Sequence, residues 1–381
     1  MDFSLSEDHL MLRDTVRSFC AEKVRPHAKK WDETEEFPWE VVKELGEMGC
    51  LGVTVPEELG GAGMDPLALA IVVEEVARQD GSLALTVASH NGLGTSHIRY
   101  FGTDEQKERW IPDLASGKKL AGWGLTEAGS GSDAAGMRTS AVKKGDKWVI
   151  NGTKMWITQG TVGDTFVVLA VTDKTKKQRG ISAFVVEKGT PGFSSNKIHG
   201  KLGMRSSDTA ELILENVEVP DSHRIGEVNN GFIDTLKILD RGRITIGMLS
   251  VGLGRGAIEE ACLYAQEREA FGKPISSFQA IQWKLADMAT EMEAARLLLY
   301  QAAWLAGEGK PFTLPASMGK LFASEAATRA CSEAIQIHGG YGYTNEFPVE
   351  RYFRDAKLCE IGEGTSEVQR MVIARKLLAD R

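Results

Sequence analysis

The chain has 381 residues, which at about 150 residues per domain predicts two or three domains. Hydrophobic residues make up 42% and charged residues 26% of the chain, a globular composition that excludes disordered and collagen-like proteins. Since 45 Lys and Arg residues stand against 53 Asp and Glu residues, the formal net charge is −8. We therefore expect no nucleic-acid partner, because such proteins usually carry a basic surface.

The first residues, MDFSLSEDHL, lack the basic and apolar regions of a secretory signal. The longest apolar run, around 68–73, is far shorter than the roughly 20 residues of a membrane span. Five cysteines lie far apart without a CxxC pair, a pattern that indicates buried thiols rather than disulfides or a metal site. We expect no membrane partner, no metal, and a location in a bacterial cytoplasm, or in the mitochondrial matrix if the chain is a processed mature protein.

The sequence pattern of residues 1–120 predicts a helical region. Ser4 with Glu7 resembles a capping box at the start of the first helix, and Arg25-Pro26 is expected to interrupt that helix. Further helix starts are predicted at Pro38, Asp65-Pro66 and Thr103-Asp104.

The hydrophobic period changes twice along the rest of the chain. Between 121 and 225, short β-branched and aromatic runs alternate with Gly, Asn, Asp and Lys turns, which predicts an antiparallel β unit. From 226 to 381 the helical period returns. The pattern therefore predicts a helical, then a β, then a helical region.

Two glycine clusters fit the dinucleotide-binding pattern GxGxxG/A, one beginning at Gly129 and one at Gly252. That fingerprint requires a strand before it and a helix after it. A β-hairpin is predicted after Gly129, and Gly252 lies inside a stretch that is interpreted as one continuous helix. We therefore predict no Rossmann fold and interpret the glycines of this helix as marks of close packing or of a planar ligand.

Glu363 is the main chemical candidate, between Gly362 and Gly364 just before a predicted helix. One interpretation is a solvated acidic residue near a helix N-terminus, which the positive end of the helix favours. The other is a mobile carboxylate on a permissive backbone, suited to attack a carbon acid.

Several strings in the same order resemble the acyl-CoA dehydrogenase family, from SEDH at the N-terminus to the last helix. They are LTEAGSGSD at 125–133, MWIT at 155–158, REAFGKPISSFQ at 268–279, QIHGGYGYTNEFPVERYFRDAK at 336–357 and the EGT that begins at Glu363. The resemblance implies an N-terminal helical domain at 1–120, a middle antiparallel β domain at 121–225 and a C-terminal four-helix bundle at 226–381.

The resemblance also implies FAD as cofactor. Thr126 matches a contact to the flavin pyrimidine edge, Ser132 a contact to the pyrophosphate, and Trp156 with Thr158 the flanks of the flavin ring. Arg268 and its motif match positions that a second subunit contributes, which implies a homotetramer built as a dimer of dimers. The implied cofactor-binding positions are Trp123, Leu125, Thr126, Gly131, Ser132, Trp156, Ile157, Thr158, Arg268, Phe271, Phe278, Gln279, Gln336, Gly339, Gly340, Thr365 and Glu367.

The implied reaction is α,β-dehydrogenation of an acyl-CoA to the 2-enoyl-CoA, with hydride transfer to flavin N5 and electrons passed to an electron-transfer flavoprotein. Glu363 matches the base that removes the α-proton, and Arg243 matches an arginine that supports the active-site loop. Gly242 occupies the position from which some relatives supply the base instead. The implied substrate contacts are Ser132, Asp240, Arg243, Glu363, Gly364 and His90.

Three of these positions have a plainer interpretation. Asp240 and Arg243 could form an ion pair on a helix surface, and His90 could be a structural or capping histidine.

Gly362 departs from the family pattern, because many relatives have tyrosine directly before the catalytic glutamate. The loss of this aromatic wall favours a branched or cyclic acyl group over a plain short chain. The expected substrate is therefore a short- to medium-chain or a branched or cyclic acyl-CoA. The pocket segment 85–94 contains no arginine, so a dicarboxylic acyl tail has no obvious partner.

Two alternatives remain at this stage. One is a flavin acyl-CoA oxidase on the same scaffold, which would release hydrogen peroxide. The other is a non-catalytic helical scaffold that binds acyl-CoA, against which the intact Glu363, MWIT and Arg268 motifs argue.

Overall fold

The computed structural model describes residues 4–379, which form a helical region, a β-sheet and a second helical region in chain order. This order confirms the predicted fold class. The first helices are α1 (Glu7–Phe19), α2 (Arg25–Thr34), α3 (Trp39–Glu47), α4 (Pro66–Ala77), α5 (Gly81–Ser89), α6 (Ser96–Phe101) and α7 (Asp104–Ala115).

The first helix begins differently from the prediction. Its N-cap is Ser6, whose hydroxyl accepts a hydrogen bond from His9 N at 3.3 Å, so the predicted cap at Ser4 is wrong. Pro26 does not break the helical segment either, because a π-helical turn at Cys20–Val24 precedes it. Proline then lies in the first turn of α2, where its missing N–H costs no hydrogen bond.

Two other predicted helix starts are confirmed. The Asp65 side chain accepts a hydrogen bond from Ala68 N at 2.8 Å, and Thr103 with Gln106 forms a reciprocal capping box. These caps pair backbone N–H groups that the first turn of a helix leaves without a partner.

The middle region is one sheet in the order β6-β7-β3-β2-β4-β5-β8, with β1 paired to β4. Most neighbours are antiparallel, as predicted. Two pairs are parallel: β1 with β4, because residues 125–164 return the chain to the end of the sheet where β1 begins, and β2 with β4, through Ser140 and Val171. The strands are β1 (Ala121–Gly124), β2 (Ser140–Lys144), β3 (Lys147–Thr158), β4 (Thr165–Val171), β5 (Ile181–Glu187), β6 (Phe193–Lys197), β7 (Thr209–Pro220) and β8 (Arg224–Ile225).

The C-terminal region is a bundle in which α10 packs against α8, α9, α11 and α12. Gly252 lies inside α8, as predicted, and a Cβ atom there would stand 2.5 Å from Ala77 Cβ, so glycine lets α8 approach α4 closely. The elements are α8 (Gly231–Glu267), β9 (Glu269–Ala270), β10 (Lys273–Pro274), α9 (Gln279–Gly307), α10 (Thr313–His338), α11 (Val349–Ile361) and α12 (Ser366–Ala379).

The largest hydrophobic core joins the N-terminal helices to the C-terminal bundle, and two smaller cores line the sheet. Four of the five free cysteines are buried, as predicted, while Cys262 is partly exposed. Within residues 4–379, no helix combines the length and the apolar character that crossing a bilayer requires.

Candidate active site

Glu363 lies in the short loop between α11, which ends at Ile361, and α12, which begins at Ser366. Its φ angle is +52°, and a non-glycine residue in this left-handed region costs about 1–3 kcal/mol. Such strain persists only where the surrounding contacts hold it, and it is concentrated at functional sites. The strained backbone therefore indicates a functional role for Glu363 independently of its sequence motif.

Two buried side chains hold this loop through the carbonyl oxygen of Gly364. Lys320 Nζ donates a hydrogen bond to that oxygen at 2.7 Å, and Gln369 Nε2 donates to it at 2.9 Å. Gln369 also reaches the Glu363 carbonyl oxygen at 3.4 Å. The side chains of Lys320 and Gln369 are fully buried. Neither residue was predicted from the sequence.

The Glu363 carboxylate enters a buried space, although the residue as a whole is half-buried. Its Oε2 atom has almost no solvent-accessible surface and no hydrogen-bond partner among residues 4–379. The space exists because residue 242 is glycine: a Cβ atom there would overlap Oε2 and stand 3.3 Å from Leu93. Gly242 thus makes room for the carboxylate.

Burial raises the pKa of Glu363 to about 7, although the positive charges of Lys320 and Arg243 oppose the increase. A general base works best when its pKa lies near the working pH. The carboxylate is therefore suited to accept a proton from a weak carbon acid.

Arg243 is buried on α8. Its Nη1 donates to Asp240 Oδ1 at 2.5 Å and to Ser317 Oγ at 3.3 Å, whereas its buried Nε has no partner. Thr313 Oγ1 donates to the other Asp240 oxygen at 2.5 Å. The Asp240–Arg243 ion pair considered from the sequence is present, but it is largely buried instead of lying on the surface.

The motifs LTEAGSGSD and MWIT meet at the sheet, where Met155 N donates to Thr126 O at 2.9 Å. Trp156 is 59% exposed and has a φ angle of +63°, while the next residue, Ile157, is buried. Thr158 pairs with Thr209 on the neighbouring strand. A large exposed ring on a strained backbone is suited to contact a flat ligand.

A buried ion pair that was not predicted from the sequence supports the part of the sheet where these two motifs meet, which we call the Thr126–Trp156 edge. Lys154 Nζ donates to Glu127 Oε1 at 2.9 Å and to Leu125 O at 3.1 Å. Glu127 also accepts hydrogen bonds from the backbone N–H groups of Arg138 and Thr139. The pair therefore fixes the loop on both sides of Thr126.

The other predicted residues of this edge differ in exposure. The side chains of Trp123 and Leu125 belong to a hydrophobic core, and Trp123 Nε1 donates to His97 Nδ1 at 3.2 Å. Only their backbone groups remain for a ligand. Gly131 and Ser132 are exposed, and a Cβ atom at Gly131 would meet nothing within 4 Å.

A second group of predicted residues surrounds a cavity of about 490 Å³ at the ends of α8 and α10, lined by Arg268, Gly339 and Gly340 among others. Phe271 is 96% exposed, has a φ angle of +55° and packs edge-on against Phe278. Gln279 and Gln336 are also exposed. Among residues 4–379, no hydrogen bond links this group to the Thr126–Trp156 edge.

Thr365 and Glu367 lie at the start of α12. Thr365 Oγ1 accepts a hydrogen bond from Val368 N at 3.3 Å, so Thr365 caps the helix. The Glu367 side chain is exposed.

His90 does not have the geometry of the substrate contact that was predicted for it. The residue is fully buried, its Nε2 is 3.0 Å from Leu114 O, and its Nδ1 accepts from Ala121 N at 3.1 Å. Both ring nitrogens are thus occupied by backbone partners, and burial lowers the pKa of His90 to about 4. His90 has the structural role that the sequence analysis held as the alternative.

Three family models match almost the whole chain. They are the acyl-CoA dehydrogenase N-terminal domain at residues 6–118, the middle domain at 122–217 and the C-terminal domain at 229–378.

Similar proteins agree with these matches. The short-chain specific acyl-CoA dehydrogenase of Clostridium acetobutylicum is 45% identical over 377 residues, which cover 99% of this chain and 100% of that protein. Butyryl-CoA dehydrogenase from Megasphaera elsdenii has a similar solved structure, with a TM-score of 0.97, 41% identity and coverage of 99% and 100% of the two chains. A chain in a structure described as electron transferring flavoprotein of Acidaminococcus fermentans gives a TM-score of 0.98, 44% identity and the same coverage. The chain belongs to the acyl-CoA dehydrogenase family, the flavoprotein oxidoreductases that use FAD.

Proposed function

We propose that this acyl-CoA dehydrogenase uses Glu363 to remove the α-proton of a short- to medium-chain or branched or cyclic acyl-CoA. The observation that carries the proposal is the buried Glu363 Oε2 atom, which has no hydrogen-bond partner in the part of the chain that the structure describes. An unpaired carboxylate oxygen keeps its lone pairs available for a proton. Gly242, which the family pattern places at the alternative base position, has no side chain that could take this role.

The α-proton of a thioester is weakly acidic, so the site must stabilise the negative charge that develops on the thioester oxygen. The resemblance assigns one hydrogen bond to that oxygen from the backbone N–H of Glu363. Such donors contribute most where water is excluded. Bound FAD supplies a hydride acceptor for the β-hydrogen.

Two surfaces of the chain suit FAD. The exposed Trp156 ring offers a face for a flat ring system, with Thr126, Ser132 and Thr158 on the same domain. Arg268 and two glycines line an open cavity, and a guanidinium donates paired hydrogen bonds to phosphate oxygens. We propose that the Arg268 surface completes the FAD site of a second subunit, and that the active form is the homotetramer that the family resemblance implies.

Arg268→Ala is expected to weaken FAD retention and the tetramer together, because one guanidinium would reach across a subunit boundary to the pyrophosphate. The measurement is flavin content against protein, together with size-exclusion chromatography. A variant that remains fully flavinated and tetrameric contradicts this role for Arg268.

We propose that Gly362 widens the acyl pocket. Its φ angle is −69°, a conformation open to any residue, so the loop backbone does not require glycine here. An added Cβ atom would meet only Leu358, at 3.5 Å or more. The likeness to short-chain and butyryl-CoA dehydrogenases supports a small acyl group.

Gly362→Tyr is therefore expected to disfavour branched and cyclic substrates. Overpacking a formed pocket costs about 1–3 kcal/mol, which corresponds to about tenfold to over a hundredfold in discrimination. The measurement is kcat/KM for butyryl-CoA, isobutyryl-CoA and cyclohexanecarboxyl-CoA in both proteins. If all three values fall alike, Gly362 does not select the acyl group.

The proposed electron acceptor is an electron-transfer flavoprotein, which the similar chain in the Acidaminococcus fermentans structure supports. The test is anaerobic titration of the flavinated enzyme with the three acyl-CoAs, followed by mixing the reduced enzyme with an electron-transfer flavoprotein or with air. We expect bleaching of the flavin and rapid transfer to the flavoprotein. Rapid hydrogen peroxide release in air would instead indicate an oxidase, and no bleaching by any acyl-CoA would contradict the proposed substrate class.

A further inference from the structure

One face of α10 contacts two parts of the site. Thr313, Ser317 and Lys320 follow each other at spacings of four and three residues, which places them on the same side of the helix. Thr313 and Ser317 contact the Asp240–Arg243 pair on α8, and Lys320 contacts the loop that carries Glu363.

The charge of Lys320 has few neutralising partners. The hydrogen bond to the Gly364 carbonyl is its only hydrogen bond among the described residues, and no carboxylate of that region lies within ion-pair distance. The ionisable groups that face it are Glu363 in the loop, Cys359 and Glu360 on α11, and Arg243 on α8.

The nearby acid on α11 already has other partners. Glu360 accepts hydrogen bonds from Lys357 at 2.6 Å and from Thr328 at 2.5 Å. Burial keeps the Cys359 thiol protonated by raising its pKa to about 12. Glu363, whose Oε2 has no partner, is therefore the anion on which the Lys320 charge acts most directly.

We propose that Lys320 is a positioning residue for proton abstraction: its ammonium group holds the Gly364 carbonyl in place and supplies a positive charge to the Glu363 carboxylate. The proposal rests on Glu363 being the base. Lys320 performs both tasks from a helix that stands outside the catalytic loop. Burial lowers the pKa of Lys320 to about 8, so it remains mostly protonated at neutral pH.

Lys320→Met removes the donor and the charge together. Without the positive charge, the pKa of Glu363 rises. Because activity needs the ionised carboxylate, the rate then begins to fall at a higher pH than in the wild type as the pH is lowered. An opposite charge nearby usually shifts a carboxyl pKa by about one unit or more. We therefore expect the acidic limb of the rate profile to move up by about one pH unit, with a rate loss of about fivefold at pH 7, where the ionised fraction of Glu363 would fall from about one half to about one tenth. Lys320→Arg keeps the positive charge and the hydrogen-bond donors, so it should retain the acidic limb of the wild-type rate profile.

Lys201→Met is the matched control. Lys201 is also a largely buried lysine whose pKa burial lowers to about 8, and it donates to Ser207 O and to Thr209 Oγ1. These contacts lie in the β domain, so the change should lower the melting temperature without moving the pH profile.

The experiment measures flavin bleaching by butyryl-CoA in anaerobic stopped flow from pH 6 to 9 for the four flavinated proteins. Hydrogen exchange of the peptide 361–369 without substrate gives a second readout, and faster exchange is expected only in Lys320→Met. If that variant does not fold, Lys320→Gln, which keeps a donor without the charge, should show the same pH shift.

The outcomes separate the two proposals. If no acyl-CoA bleaches the wild-type flavin, the proposed function fails, while hydrogen exchange still reports whether Lys320 holds the loop. If the Lys320 variants bleach with the wild-type pH profile and exchange at the wild-type rate, the inference is overturned.

Discussion

Glu363→Gln is expected to keep FAD and to bind acyl-CoA while losing flavin reduction by a factor of about 10²–10⁴ or more, because it removes the general base that we propose. Glutamine has nearly the same shape as glutamate and fits the space beside Gly242. The wild-type rate should fall as the pH drops through about 7, where burial places the pKa of Glu363. Flavin bleaching at near the wild-type rate in the variant would refute the assignment.

Thermal stability provides the control for folding. Burial raises the pKa of Glu363 in the folded state to about 7, above the value of about 4.3 expected when unfolded. The folded state therefore binds more protons between these values, and the contribution of Glu363 to stability falls as pH rises through that window. Glutamine does not ionise, so the variant should melt at a higher temperature than the wild type at pH 8 and show a smaller difference at pH 5.

Gly242→Ala is expected to cost about 100-fold in kcat/KM, because the added methyl group would overlap Glu363 Oε2 and force the carboxylate to move. Displacement of a reacting group by about 1 Å can cost that much. Alanine is a better helix former than glycine by about 1 kcal/mol, so the lost rate should not come with lost secondary structure. The measurement is kcat/KM for butyryl-CoA together with circular dichroism.

Gly247→Ala on the same helix is the comparison. Its added Cβ atom would stand 2.6 Å from Leu299, in the core, instead of against Glu363. It should lower the melting temperature and leave the rate per folded site unchanged. Equal rate losses in the two variants would show that Gly242 acts through the packing of α8 alone.

Local signals predicted much of the fold because they depend on neighbouring residues. Asp65 and Thr103 cap their helices as expected, and Gly252 lies inside one long helix. Ser4 and the predicted break at Pro26 were misjudged, since the true cap is two residues later and a π-helical turn accommodates the proline. The change of period predicted the sheet but not its two parallel strand pairs.

The site was predicted only where the chemistry lies in a short motif. Glu363 stood out between two glycines, whereas Lys320 and Lys154 did not, because a lysine on a helix or a strand usually indicates a solvated face. The polar residues of α10 lie at helical spacing, a signal that could have indicated a functional face. That this face of α10 points toward α8 instead of solvent depends on long-range packing. The sequence left both interpretations of His90 open for the same reason, as its partners lie 24 and 31 residues away.

The left-handed backbone of Trp156, Phe271 and Glu363 also affects how this enzyme should be engineered for heat resistance. Glycine relieves such strain, so a screen that rewards melting temperature alone will favour glycine at these three positions and discard the side chains that we expect to bind the cofactor or to remove the proton. Lys177 also has a positive φ angle, and it lies in an exposed loop. Stabilising libraries should therefore begin at Lys177 and keep the three strained side chains fixed.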